Sequence, residues 1–109
     1  MSDFSDAFFE FLDTGRELPV LQVALELGRY HHYRGQHGMG NDREMLEALK
    51  KRGYLSGSEL EGQDLSKYQP AEKMTLTLIG SVMECLKDGR EFHHGMLCGL
   101  TACGMKENQ

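Results

Sequence analysis

The sequence predicts an all-α fold, a compact single-domain bundle of about five helices. Three observations carry that prediction. Apolar residues recur at the i, i+3, i+4, i+7 spacing of helices with one buried face. No pair of alternating apolar segments flanks an Asn-Gly-type turn, so a β-hairpin signal is missing. The connections between periodic segments are short, which favours neighbouring helices packed antiparallel. At 109 residues the chain has the size of one small domain, able to bury roughly two-thirds of the surface of its unfolded form. Residues 1–109 are therefore read as a single helical domain, with a short frayed tail over about 105–109.

Taken in order, Phe4, Ala7, Phe8, Phe11 and Leu12 mark a first helix, capped by Ser2, Asp3 or Ser5 and ended by Gly15 in the left-handed conformation. Phe9 is expected to join its buried face as part of a wide stripe. Pro19 suits the first turn of a second helix, where its missing N–H does no harm. That helix runs from about Pro19 to Tyr33, with Val20, Val23, Ala24, Leu27 and Tyr30/His31 as one stripe and Leu21, Leu25 and His32 widening it. A helix apolar over most of its circumference is usually central, so this one is expected to be the spine. The glycines of residues 34–40 then mark a loop. Asn41-Asp-Arg-Glu44 opens a third helix as a capping box, Lys50, Lys51 and Arg52 sit at the negative end of its dipole, and Gly53-Tyr54-Leu55 forms its stop. Ser58-Glu-Leu-Glu61 reads as a second capping box opening one short turn in a polar connection. Pro70 starts a fourth helix, buried along Met74, Leu78, Val82 and Leu86 and closed by Asp88-Gly89; a fifth runs from about Arg90 to Cys103. The second, fourth and fifth helices are expected to be central.

Composition removes several classes of function. The formal charge is −5, and the twelve Lys and Arg are scattered apart from Lys50-Lys51-Arg52, which argues against a nucleic-acid partner. No apolar run approaches the ~20 residues of a membrane span, so a membrane partner is not expected. The opening residues lack the basic and apolar regions of a signal peptide, and three cysteines are an odd number; reduced thiols in a cytoplasm are the expectation.

The residues that could carry chemistry concentrate in Gly89–Gly104, which holds two of the five histidines and two of the three cysteines. His94 and Cys98 share a helix face, with His93 beside them. His31 and His32 end the second helix. A zinc or similar transition-metal site built from His31, His32, His93, His94 and Cys98 would use suitable ligand types, and it requires the two histidine clusters to meet. The spacings match no Cys-x2-Cys or His-Glu-x-x-His pattern. Cys85, Cys98 and Cys103 all fall on expected buried faces, where a free thiol behaves as a small hydrophobe. A Cys98 or Cys103 nucleophile paired with His93 or His94 is disfavoured, because apolar neighbours such as Leu97 and Leu100 raise a thiol pKa. Gly35-Gln-His-Gly38-Met-Gly40 fails both the Walker and the dinucleotide patterns. Ala24 and Gly28 have the spacing of a helix-turn-helix turn, but Arg29 and Arg34 stand where that motif needs apolar residues. No catalytic residue is assigned.

Two features point to contacts between proteins. Tyr and Arg are favoured anchors, so Arg29, Tyr30, Tyr33 and Arg34 are the expected contact residues, with Glu59, Glu61 and Asp64 steering a basic partner. Gly95 and Gly99 form a small-xxx-small pair that signals close backbone approach, within the bundle or across a homodimer. The function expected from sequence is that of a small cytoplasmic regulatory, inhibitory or adaptor protein that binds another protein without catalysis and without a cofactor; a phage-type inhibitor of host machinery is one fitting instance. The alternative is a His/Cys metal-binding sensor or metal-dependent enzyme.

Overall fold

The computed structural model describes residues 4–38 and 41–104. Among these the chain is all-α: α1 (Phe4–Thr14), α2 (Val20–Gln36), α3 (Asp42–Lys51), α4 (Gly57–Leu60), α5 (Pro70–Lys87) and α6 (Phe92–Ala102). Five are long helices and α4 is a single turn, as expected from its short capping signal. The proposed caps Ser2 and Asp3, Met39 and Gly40 of the loop, and the tail from Met105 lie outside the described residues. No helix is long and apolar enough to cross a membrane among the described residues.

The centre of the bundle is α5, which packs on α2, α3, α4 and α6 and meets α6 most extensively. Its Leu78, Ile79, Val82 and Met83 are fully buried, and buried Thr75 donates its hydroxyl to the Arg16 carbonyl at 3.2 Å. The expected spine, α2, is central only on one side. Val20, Val23, Ala24, Leu27 and Tyr30 are buried, whereas Leu21 and Leu25 are 51% and 68% exposed. The extra apolar width that suggested centrality is an exposed face. On α1 the buried residues are Phe8, Phe9 and Leu12, while Ala7 is exposed, so the stripe is turned toward Phe9, as a wide face allows. Arg52 lies over the Phe9 ring at 4.6 Å and pairs with Asp13 at 3.7 Å.

Local punctuation follows the sequence closely in α3. Asn41 Oδ1 accepts from the Glu44 N–H at 3.1 Å, satisfying one of the free donors of the first turn. At the other end Gly53 takes φ +94, and its N–H bonds to the Lys50 carbonyl while that of Tyr54 reaches Leu49, which is a Schellman stop. The same device ends α5: Gly89 has φ +79 and the Arg90 N–H closes on the Cys85 carbonyl at 2.8 Å. Because Arg90 is committed to that stop, α6 begins at Phe92 rather than at Arg90.

Elsewhere the boundaries move for identifiable reasons. Gly15 ends α1 without adopting positive φ; its role is lack of a side chain, since a Cβ there would stand 2.8 Å from the Phe11 carbonyl oxygen. Pro19 is the residue before α2, not its first. At its other end α2 runs on to Gln36, through Gly35. A helical glycine costs about 1 kcal/mol relative to alanine, and the bond from Arg34 Nη1 to the Tyr30 hydroxyl, 3.2 Å and buried, holds that last turn. The capping box of α4 belongs to Ser56 and Glu59, not to Ser58 and Glu61. The Ser56 N–H donates to Glu59 Oε1 at 3.0 Å. Ser58 serves another contact, giving its backbone N–H and hydroxyl to Glu84 Oε1, each at 3.0 Å, and so ties α4 to α5.

The contact between α5 and α6 is as close as helices allow. A Cβ on Gly95 would lie 2.7 Å from Val82 Cα, and one on Gly99 would lie 2.8 Å from Leu78 Cδ1 and 3.1 Å from Leu78 Cα. Both glycines are used inside the chain, so neither is available as a homodimer seam. Alanine at position 95 or 99 should therefore destabilise the protein by about 1–3 kcal/mol, against a backbone that cannot give. Gly28 on α2 has nothing within 4 Å of its would-be Cβ, and Gly28→Ala should stabilise by about 0.5–1 kcal/mol. Urea midpoints of the three variants check both signs, and a Gly95→Ala midpoint equal to that of the parent would refute the close approach.

The bonds from Ser58, first its N–H, hold the Glu84 carboxyl below its ordinary value. A carboxylate with a depressed folded-state pKa stabilises above its unfolded pKa and loses that contribution as pH falls through the folded value. The urea midpoint of Glu84→Gln should thus fall below that of the parent at about pH 7, and the gap should close by about pH 3. A gap that does not change with pH would assign the effect to packing.

Candidate functional site

The Gly95–Gly99 seam fixes α6 so that its other residues flank it. Phe92, at the start of the helix and 1% exposed, stacks on His31 of α2 with ring centroids 4.1 Å apart and nearly parallel planes. His93 meets the same imidazole edge-on at 5.5 Å. The other side of the His31 story lies on α3: its Nε2 donates to Asp42 Oδ1 at 3.1 Å. The two histidine clusters therefore do meet, through His31 and His93, but as an aromatic junction tying α2, α3 and α6, not around a shared ligand centre.

The metal-ligating groups that do converge are a different set. Ligand atoms of Cys85, His94 and Cys98 all lie within 4.8 Å of one another, and this is the one such group of three among the described residues. His94 and Cys98 were expected from their shared helix face. Cys85, on α5, was not, since a buried α5 cysteine has no sequence signal that it faces α6. His31, His32 and His93 stay outside the set. Nor is Cys98 buried, as expected; it is exposed, while Cys85 is buried and Cys103 half-buried. On α6 the glycine pair occupies the position against α5, which leaves Cys98 beside the seam. Burial pushes the Cys85 thiol up, the neighbouring Cys98 adds to this, and the Arg90 guanidinium opposes both. Arg90 Nη1 also donates to His94 Nε2 at 3.3 Å. Cys103 lies away from the cluster, its thiol donating to the Met74 carbonyl at 3.2 Å and raised by burial.

A second feature opens on the opposite flank of α6. Leu21, Ala24, Leu25, Gly28, Arg29, His32, Tyr33 and Gln36 of α2 face Met96 and Leu100 of α6 across an open groove of about 640 Å³. Its floor is apolar and its polar residues, Arg29, His32 and Gln36, stand along α2. Arg29 is exposed and pairs with Glu26 at 3.2 Å. Tyr33 lies against His37 with ring centroids 4.2 Å apart.

Of the expected contact residues, Arg29 and Tyr33 therefore reach this groove. Tyr30 and Arg34 do not. Tyr30 is 1% exposed, stacked on Phe8 at 4.1 Å, and Arg34 is 8% exposed; the i, i+4 pair they make is an internal clamp between α1 and α2. Among the expected steering carboxylates, Glu59 is held by Ser56 and Asp64 by Ser66, whose N–H and hydroxyl reach Asp64 Oδ1 at 3.0 and 2.6 Å. Both carboxyls sit below their ordinary values because of those bonds. Together with exposed Glu61 they lie off the groove. Leu21, Leu25, Met96 and Leu100 are the groove residues that the sequence reading missed as a site. The available signal was the apolar excess on the second helix.

Against known proteins, no family model, no curated protein and no solved structure matches this chain.

Proposed function

We propose that this protein acts by binding another protein, as a small regulatory, inhibitory or adaptor factor, and that the α2–α6 groove is the binding surface. The observation that carries this reading is the exposure of Leu21 and Leu25, 51% and 68%, at the edge of an apolar groove. Neither leucine is needed to fill the core, whose stripe on α2 is complete without them. Water-facing leucines grouped beside a groove mark interaction sites more often than leucines scattered singly.

The groove suits an amphipathic helix of the partner, which would lay an i, i+3/i+4, i+7 row of apolar side chains between α2 and α6. Arg29 and His32 on its edge favour a partner carrying a carboxylate there. In this reading Arg29 and Tyr33 keep the contact role assigned from sequence, and Tyr30 and Arg34 support α2 from inside.

The test is site-specific. A photo-crosslinking residue at position 25, used in cells that make the protein, should capture one dominant partner, whereas the same residue at Glu61 should not. Leu25→Glu and Leu21→Glu should each weaken binding to that partner by about 10-fold or more, with unfolding free energies from urea titration changed by no more than about 0.5 kcal/mol, as for surface changes. Equal capture from both positions would remove the groove as the binding surface, and a crosslinked homodimer would replace the partner with a second copy.

A further inference from the structure

The cleft on the other flank of α6 bears a site that the proposed protein-binding role does not use. Cys85 and Cys98 line it where α5 and α6 pass closest, and the imidazole of His94, one helical turn before Cys98, completes a group whose ligand atoms lie within 4.8 Å of one another. We infer that Cys85, His94 and Cys98 bind one zinc ion, with the fourth position open to solvent from the cleft.

The donor set is what selects the metal. Two thiolates and one imidazole are soft-to-borderline ligands that suit zinc and exclude calcium or magnesium, which take oxygen. Zinc–sulfur and zinc–nitrogen bonds of about 2.3 and 2.0–2.1 Å place tetrahedral ligand atoms about 3.5–3.8 Å apart. A spread of at most 4.8 Å closes to that with rotation of exposed side chains. The backbone is already in place, because the Gly95 seam fixes how near Cys85 comes to α6: a Cβ on Gly95 would stand 3.2 Å from Cys85 Cβ.

Charge agrees with this. Two thiolates balance the dication, so the bound site is neutral and leaves Arg90 free of repulsion. In the metal-free protein Arg90 donates to His94 Nε2 at 3.3 Å. Binding would release the thiol protons to solvent and free that guanidinium. A disulfide between the two cysteines would leave the imidazole with no role; a metal uses all three groups. Three protein ligands and an open position form the pattern of catalytic and exchangeable zinc rather than of closed structural zinc.

The experiment uses the full chain, purified without a histidine tag, stripped of metal and kept in a phosphine reductant. Cobalt(II) is titrated in and then displaced by zinc(II). One equivalent of cobalt should produce the intense visible bands of a tetrahedral centre and a thiolate-to-cobalt charge-transfer band, both erased by one equivalent of zinc. Cys98→Ser and His94→Gln alter exposed residues and should leave the far-UV circular dichroism unchanged; each should weaken cobalt binding by about 100-fold or more, and Cys98→Ser should also halve the charge-transfer intensity. Cys103→Ser should behave as the parent. No tetrahedral spectrum from the parent, an unaltered titration in Cys98→Ser, or an equal loss in Cys103→Ser would each overturn the assignment. So would an air-formed Cys85–Cys98 disulfide in a protein that gives no cobalt spectrum under reductant, since the pair would then be a thiol couple.

Discussion

The arrangement of this molecule depends on how closely α6 lies on α5. Helix axes packed through ordinary side chains stay 8–10 Å apart, and only residues without a Cβ let the backbones nearly touch. Gly95 and Gly99 do this one turn apart, against Val82 and Leu78. Both partners belong to the fully buried row of α5, so the seam is continuous with the core rather than an appendage to it. Glycine in a helix is a loss of about 1 kcal/mol against alanine, offset here by dispersion contacts between two backbones at close range.

From that constraint the rest of α6 follows by helical geometry. Successive residues turn by about 100°, so the residue before each glycine and the residue after it point to opposite flanks of the seam. His94 and Cys98 precede Gly95 and Gly99; Met96 and Leu100 follow them. One flank therefore meets Cys85 and the cleft under α4, and the other meets α2 and forms the groove. The ends of the helix are set separately. Phe92 stacks on His31, which in turn donates to Asp42, and the Cys103 thiol bonds back to Met74.

Local structure was legible in the sequence where a single short stretch contains its own reason. Asn41, Gly53 and Asp88-Gly89 carry their acceptors and left-handed glycines within a few residues, and the structure uses them as read; of the capping box expected over Asn41–Glu44 it shows the Asn41 half. Close approach at Gly95 and Gly99 was legible too, because glycine inside a helix needs a cause; what it approaches is a tertiary fact. Sequence reasoning failed where two segments compete for one side chain. Ser58 was assigned to a capping box, but Glu84 of α5 takes it and Ser56 caps the turn instead. Tyr30 and Arg34 have the composition of contact anchors, yet Phe8 covers the first and the first binds the second. The apolar width of α2 was read correctly as excess hydrophobicity and wrongly as centrality, since periodicity cannot tell a second buried face from an exposed one. Cys85 entered the candidate site for the same kind of reason: its neighbour across the seam is visible only once α5 and α6 are docked.

The two flanks of α6 share a helix, which raises the question of coupling between a ligand on one and a partner on the other. A ligand shifts another site only if the protein has two arrangements that both ligands distinguish. α6 is held by the Phe92–His31 stack at one end, the Cys103–Met74 bond at the other, and the glycine seam between them. Sliding it by one turn would carry one glycine into the other's place but set Cys103 against Leu78, or Glu91 against Val82, where there is no room for a side chain. Rotation about its axis meets the same obstacle. A helix so fixed offers no second packing for either ligand to select, so the proposed zinc site and the proposed groove are independent by construction: occupation of one leaves the geometry of the other as it was.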